Sequence, residues 1–158
     1  MSAYWLGPLA LWVGLGLTLY GLVAGIVGGR RRNQRLIDGA VGSVFGAGIC
    51  VVFAYALLTA GFLADEFRLS YVANNASRAM PVWYKATAVW GGMEGSMLLW
   101  AFILAGYSMA AIWIHRRRHP ELIPYAAAVL QGIMAFFIGV MVFSSKPFVT
   151  LDFTPVDG

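Results

Sequence analysis

Residues 65–100 read D-E-F-R-L-S-Y-V-A-N-N-A-S-R-A-M-P-V-W-Y-K-A-T-A-V-W-G-G-M-E-G-S-M-L-L-W. This polar, aromatic stretch lies between long apolar runs, and its acid, Glu94, sits where a new apolar run begins. A bilayer-spanning helix needs about 20 predominantly apolar residues. Working outward from the stretch, the apolar runs predict spans over 4–27, 39–63, 91–114 and 123–143. The third run reaches spanning length only if its helix starts near Gly91 to Gly95, inside the quoted stretch. The expected fold class is therefore all-α and integral to a membrane. It has four transmembrane helices, a structured external loop over 64–90 and an external segment over 144–158. Together these form a single module, 1–158, of a larger polytopic protein.

Composition agrees. The chain of 158 residues is 60% hydrophobic and 11% charged, with mean hydropathy +0.74. Four spans leave no room for a soluble domain. Arg30, Arg31, Arg32 and Arg35 follow the first span, and Arg116, Arg117 and Arg118 follow the third. Both loops are short, so the positive-inside rule places them in the cytoplasm. Both termini and the loop over 64–90 then face the other side. The net charge of +4 comes largely from these topology signals. Nucleic-acid binding is excluded as a reading, because no basic patch accompanies an element that could read bases. The first span lacks a basic n-region and is too long for a signal-peptide core, so it reads as a retained helix. Cys50 is alone and mid-span, which excludes a disulfide framework.

Glycines carry a packing signal. Gly7, Gly14, Gly21 and Gly28 recur every seven residues, and Gly21, Gly25 and Gly29 every four. Both spacings put small residues on one helix face, where another backbone can approach. The partner helix is in this chain or in another. Similar stripes run through Gly42, Gly46, Cys50 and Ala54, through Ala101, Ala105, Gly106 and Ala110, and through Gly132, Ala135 and Gly139. His115 and His119 have metal-binding spacing, but Pro120 ends that helix and three arginines beside them repel a cation. Headgroup contact or capping is the expected role, and no metal site is expected. The spans hold no histidine or acid at mid-depth, where proton relays and ion paths place them. A transporter or channel is thus disfavoured.

Within the loop, Phe67, Leu69 and Tyr71 alternate with polar residues and predict a short extended piece. Asn74, Asn75, Ser77 and Arg78 read as a turn. Pro81 introduces Trp83, Tyr84 and Lys85, a typical interfacial cluster. Glycines 91, 92 and 95 allow close approach to the backbone at the helix entry, and Glu94 there is favoured by the helix dipole. Composition alone reads this as an aromatic belt with an acidic helix start.

The order of the residues says more. Tyr71-Val72-Ala73, Asn75, Pro81, Tyr84-Lys85, Trp90-Gly91, Glu94-Gly95-Ser96 and Leu98-Leu99-Trp100 resemble the N-terminal region of CcmF, the haem lyase component of bacterial cytochrome c maturation, and of its relative NrfE. The family pattern runs Asp-Phe, Tyr-Val-Ala, Ser/Asn, Pro, Tyr-Lys/Arg, then Trp-Gly-x-His-Glu-Gly-Ser with Leu-Leu-Trp. Lys146-Pro147-Phe148 and Pro155-Val156-Asp157-Gly158 look like the family's next external segment. This chain departs from the pattern at Met93, where the family has histidine, and at Lys146, where an uncharged residue is usual.

The resemblance implies a protein of the bacterial inner membrane, with both termini periplasmic. The complete lyase attaches haem covalently to Cys-x-x-Cys-His motifs of apocytochrome c. Its cofactor is haem, delivered by the carrier CcmE, and its other partners are a thiol-handling chaperone, the lipid bilayer and the remainder of the CcmF-like protein. The tryptophan-rich motif and haem-ligating histidines of the family lie downstream and have no counterpart in this sequence. The chain is then the N-terminal piece of a split protein or part of a longer one. Its expected role is one wall of an external chamber. Trp83, Tyr84, Trp90, Gly91, Glu94, Gly95, Ser96 and Trp100 would face haem or a partner, and Tyr71, Asn74, Asn75 and Pro81 would set the loop architecture. Glu94 is the one candidate for catalysis, with helix and loop architecture its expected role. The competing reading is a structural scaffold subunit that never meets haem.

Overall fold

The structure, a computed structural model, describes residues 3–151 and residue 155. Val156, Asp157 and Gly158 of the expected external segment lie outside the described residues. Among the described residues six α-helices follow in order: α1 Ala3–Arg31, α2 Gln34–Leu63, α3 Ser70–Asn75, α4 Val82–Ala88, α5 Met93–His115 and α6 Ile123–Val140. A π-helical turn, Met141–Ser145, extends α6. Among the described residues four helices are long and apolar enough to cross a membrane: α1, α2, α5, and α6 with its π-helical turn.

Helix ends are set by identifiable backbone devices. After α1, Arg32 takes a left-handed φ of 49°, and the Asn33 N–H reaches back to the Gly28 carbonyl at 3.0 Å. The Asn33 side chain then accepts from the Arg35 N–H and caps α2. Two residues thus turn α1 into an antiparallel α2. The same device ends α2, where Asp65 has φ 53° and the Glu66 N–H bonds to the Gly61 carbonyl at 3.0 Å. Pro124 sits in the first turn of α6, where its missing N–H is harmless.

α1 packs between α2 and α6. Gly14 lies against Ile138 and Cys50, Gly25 against the Pro124 carbonyl and Ala128, and Gly28 against Leu36. The glycine stripe of the first span therefore meets helices of this same chain. At Gly21 a methyl group would overlap Ser43 Oγ and press on Gln131. The missing side chain leaves room for a buried hydrogen bond, Gln131 Nε2 to Ser43 Oγ at 2.9 Å, between α6 and α2. Gly42 and Gly106 meet nothing within 4 Å, so those stripe positions face outward.

The core thickens towards the end of the bundle opposite the arginines. Leu58, Phe62, Leu98, Ile138 and Met141 are fully buried there, capped by Phe67, Leu69, Tyr71, Val72 and Val89 from the intervening loop. Within lipid, packing rather than water exclusion holds helices together. The capping residues stand outside the spans, where burying a large apolar side chain is worth about 1.5–3 kcal/mol.

The extended piece expected over 67–71 is corrected to a short irregular entry followed by α3. Alternation would bury Phe67, Leu69 and Tyr71 and turn Val72 outward, yet Val72 is fully buried, as a helical turn from Ser70 requires. Asn74 and Asn75, expected in a turn, close that helix. Some extended character survives. Leu69 pairs with Thr150 in an isolated antiparallel bridge, with Ser70 N–H to Val149 C=O at 2.9 Å and Leu151 N–H to Arg68 C=O at 2.8 Å.

Candidate functional site at the loop end of the bundle

Tyr71 organises the loop. Its Oη donates to the Val89 carbonyl at 2.9 Å and accepts from the Gly92 N–H at 3.0 Å. Burial pushes this phenol above its ordinary value; the Gly92 and Gly95 amides pull it back down and the Glu94 carboxylate adds a smaller push upward. Gly95 is required here because a methyl group would overlap the Val89 carbonyl. Asn75 Nδ2 donates to the Tyr71 carbonyl at 2.9 Å, and Ser96 Oγ donates to the Trp90 carbonyl at 2.8 Å. Gly92 is the N-cap of α5, Met93 its exposed first residue, and Glu94 stands half-buried in its first turn.

In α4 one member of the expected interfacial cluster, Lys85, turns inward. Pro81 precedes it, and its carbonyl accepts from the Tyr84 and Lys85 N–H groups. Trp83 is 83% exposed and Tyr84 67%, whereas Lys85 is only 6% exposed. Lys85 turns inward to an ion pair with Asp65, the left-handed residue that ends α2. Its partner lies 20 residues upstream, which sequence adjacency could not reveal.

These elements enclose a cleft of about 440 Å³ between α3, the start of α5 and the end of α6. Of the residues singled out from sequence, Tyr71, Asn74, Asn75, Gly92 and Glu94 line it; Trp83, Tyr84, Trp90 and Trp100 stand outside it as exposed aromatics. Gly91 is exposed beside the Ala88 carbonyl, and Gly95 lies in the core beneath Tyr71. Sequence reading gave no site role to five lining residues: Ser70, Ser144, Ser145, Lys146 and Val149. The one signal was Lys146, a departure from the family pattern. It has φ 44° and closes the π-helical turn through its N–H to the Met141 carbonyl at 2.8 Å. π-Helical turns and left-handed non-glycine residues concentrate at functional sites.

The cleft offers hydroxyls, amides, one carboxylate and one ammonium group. Its lining residues include no imidazole or thiol. Among the described residues no three His, Cys, Asp or Glu residues cluster as a metal site. His115 and His119 stack at 6.5 Å at the arginine end, with His115 Nδ1 2.9 Å from the Ala111 carbonyl.

Four membrane-crossing helices, with a folded loop seated on the ends opposite the arginines, define a multi-pass helical membrane protein. A solved structure of Cytochrome c Heme Lyase CcmF matches 96% of the chain with a TM-score of 0.86 at 32% identity. The cytochrome c-type biogenesis protein CcmF of Pseudomonas aeruginosa is 39% identical over 155 residues, and that of Haemophilus influenzae 30% over 154; each match covers 97% of this chain. The probable cytochrome c-type biogenesis protein NrfE of Escherichia coli is 34% identical over 108 residues, 68% of the chain and 20% of its own length. No family model matches the chain. In sequence and fold the chain belongs with the CcmF proteins and corresponds to their N-terminal part. It spans about a quarter of the length of the relatives it matches: 23%, 24% and 26% for the two CcmF sequences and the solved structure.

Proposed function

We propose that residues 1–158 form the N-terminal membrane module of a CcmF-like cytochrome c haem lyase and build one wall of the external chamber where haem is attached to apocytochrome c. The observation that carries this reading is the likeness to the solved haem lyase, at a TM-score of 0.86 over 96% of the chain. Haem is substrate here. The exposed faces of Trp83, Tyr84, Trp90 and Trp100 offer flat apolar surface of the kind a porphyrin or a neighbouring helix would cover. Iron ligation belongs to the rest of the complete protein. The arginine clusters support a cytoplasmic position for the opposite end, which puts the loop on the periplasmic side of the bacterial inner membrane. The haem carrier CcmE, apocytochrome c and its thiol-handling chaperone would approach on that side.

The test is cytochrome c maturation in cells carrying the complete protein with Trp90→Ala, and separately with Trp83→Ala plus Tyr84→Ala. All four helices remain intact in these variants, so the protein stays at normal levels in the membrane. Haem-stained cytochrome c is expected to fall severalfold. Normal maturation in both variants would instead favour the scaffold that never meets haem. Tags at positions 33 and 117 are expected to report cytoplasm and a tag at position 76 the opposite side. The reverse pattern would remove the loop from the reaction.

A further inference from the structure

Three features converge on the cleft beside α3. The first is hydrogen-bonding capacity: Ser70, Asn74, Asn75 and Ser144 line the cleft with hydroxyl and amide groups. The second is charge. Glu94 and Lys146 both line the cleft without pairing to each other, so it presents one negative and one positive group. The third is location. The cleft lies where α5 starts and α6 ends, at the level of a bilayer surface, and its volume of about 440 Å³ is typical of small-molecule sites.

We propose that the cleft binds the headgroup of a zwitterionic aminophospholipid, a phosphatidylethanolamine. The ammonium of the headgroup is taken by the Glu94 carboxylate, and its phosphate by the Lys146 ammonium with the Ser144 hydroxyl. The Asn74 amide can add a donor, since its one side-chain bond is a long 3.3 Å contact to Ser70 Oγ. A second, apolar hollow of about 180 Å³, lined by Leu11, Trp12, Met141 and Phe148, shares Lys146 and Val149 with the cleft. The start of an acyl chain fits there. A dicarboxylate such as haem would set two negative groups against Glu94 with a single ammonium to offset them, so charge favours the zwitterion. This inference goes beyond the haem-lyase reading and does not depend on it.

The experiment is native mass spectrometry of the full chain, released from detergent after incubation with phosphatidylethanolamine, phosphatidylcholine or phosphatidylglycerol of identical acyl chains. One retained phosphatidylethanolamine is expected, preferred over phosphatidylcholine by about tenfold, because a quaternary ammonium cannot donate to Glu94. Glu94→Gln should abolish that preference while phosphate-dependent binding persists. Lys146→Met and Ser144→Ala should each weaken retention of phosphatidylethanolamine, with helix content by circular dichroism confirming that the variants fold. Equal retention of the three lipids, or a preference unchanged in Glu94→Gln, would overturn the proposal. So would lipid-free spectra of the complete haem lyase, which would mean that polypeptide fills the cleft.

Discussion

The Tyr71 hydroxyl and the Val89 carbonyl, 18 residues apart in sequence, are joined by a 2.9 Å hydrogen bond, and the same oxygen accepts from Gly92 at 3.0 Å. One side chain therefore fixes α3 against the entry to α5. Tyr71→Phe keeps the ring in its pocket but leaves a buried carbonyl and an N–H unpartnered. The expected loss is about 1–3 kcal/mol, seen as a lower melting temperature in detergent and faster proteolysis between 76 and 92. An unchanged protease pattern would show that the loop is held by its apolar contacts alone.

Burial holds the Tyr71 phenol above its ordinary value near 10. For an acid raised in the folded state, stability is fully present below the unfolded pKa and is lost as pH rises through the folded one. The contribution of Tyr71 is thus constant through the neutral range and is lost in alkali. In an alkaline absorbance titration, Tyr71→Phe should remove a late-ionising tyrosinate. Removal of an early component instead would contradict the burial argument.

Gly95 and Gly106 lie on the same helix in opposite circumstances. A methyl group at Gly95 would overlap the Val89 carbonyl, whereas at Gly106 it meets nothing within 4 Å. Gly95→Ala should sharply reduce folded protein in the membrane, and Gly106→Ala should leave it unchanged. Comparing the two by fluorescence-detected size exclusion separates a steric requirement from a general effect of alanine.

The Lys85–Asp65 pair joins α4 to the end of α2. Asp65→Ala strands an ammonium that is nearly buried. Lys85→Met leaves a carboxylate whose side chain is 29% exposed and can still reach water. Asp65→Ala is therefore expected to cost more, approaching the 3–5 kcal/mol typical of a broken buried pair, with Lys85→Met at roughly 1–2 kcal/mol. Urea melts of the loop, followed by Trp83 and Trp90 fluorescence, would rank them, and the reverse order would refute the argument.

Inside the bundle, Ser43→Ala removes an interhelical hydrogen bond of a kind worth about 0.6 kcal/mol in membranes. Gly21→Ala forces a methyl group into Ser43 Oγ and Gln131 and should cost distinctly more. The double variant Gly21→Ala with Ser43→Ala should recover part of that loss in thermal unfolding. Strict additivity would mean that the two residues do not share space.

The long helices were legible because apolar runs of spanning length leave few alternatives, and the seven-residue glycine spacing pointed to a close helix contact. The loop was harder to read. Asn74 and Asn75 favour turns by propensity, yet the burial of Tyr71 and Val72 on neighbouring elements makes them helical. Lys85 looked interfacial beside Trp83 and Tyr84, and only the fold brings Asp65 to it. The cleft draws on segments some 75 residues apart, Ser70 and Ser145 among them, and local pattern does not encode such a juxtaposition. Glu94, Asn74 and Asn75 were singled out by type and order, which carry no information about the hydroxyls opposite.

The bridge from Leu69 to Thr150 has a consequence for synthesis. The strand edge at Leu69 leaves the ribosome about eighty residues before its mate, so the four long helices of this chain must all be synthesised before that edge is satisfied. Closing the bridge is therefore a late step in assembling this end of the bundle. Tension on polypeptide continuing past Thr150 would be felt first at the backbone of Arg68 and Ser70, one step from Tyr71.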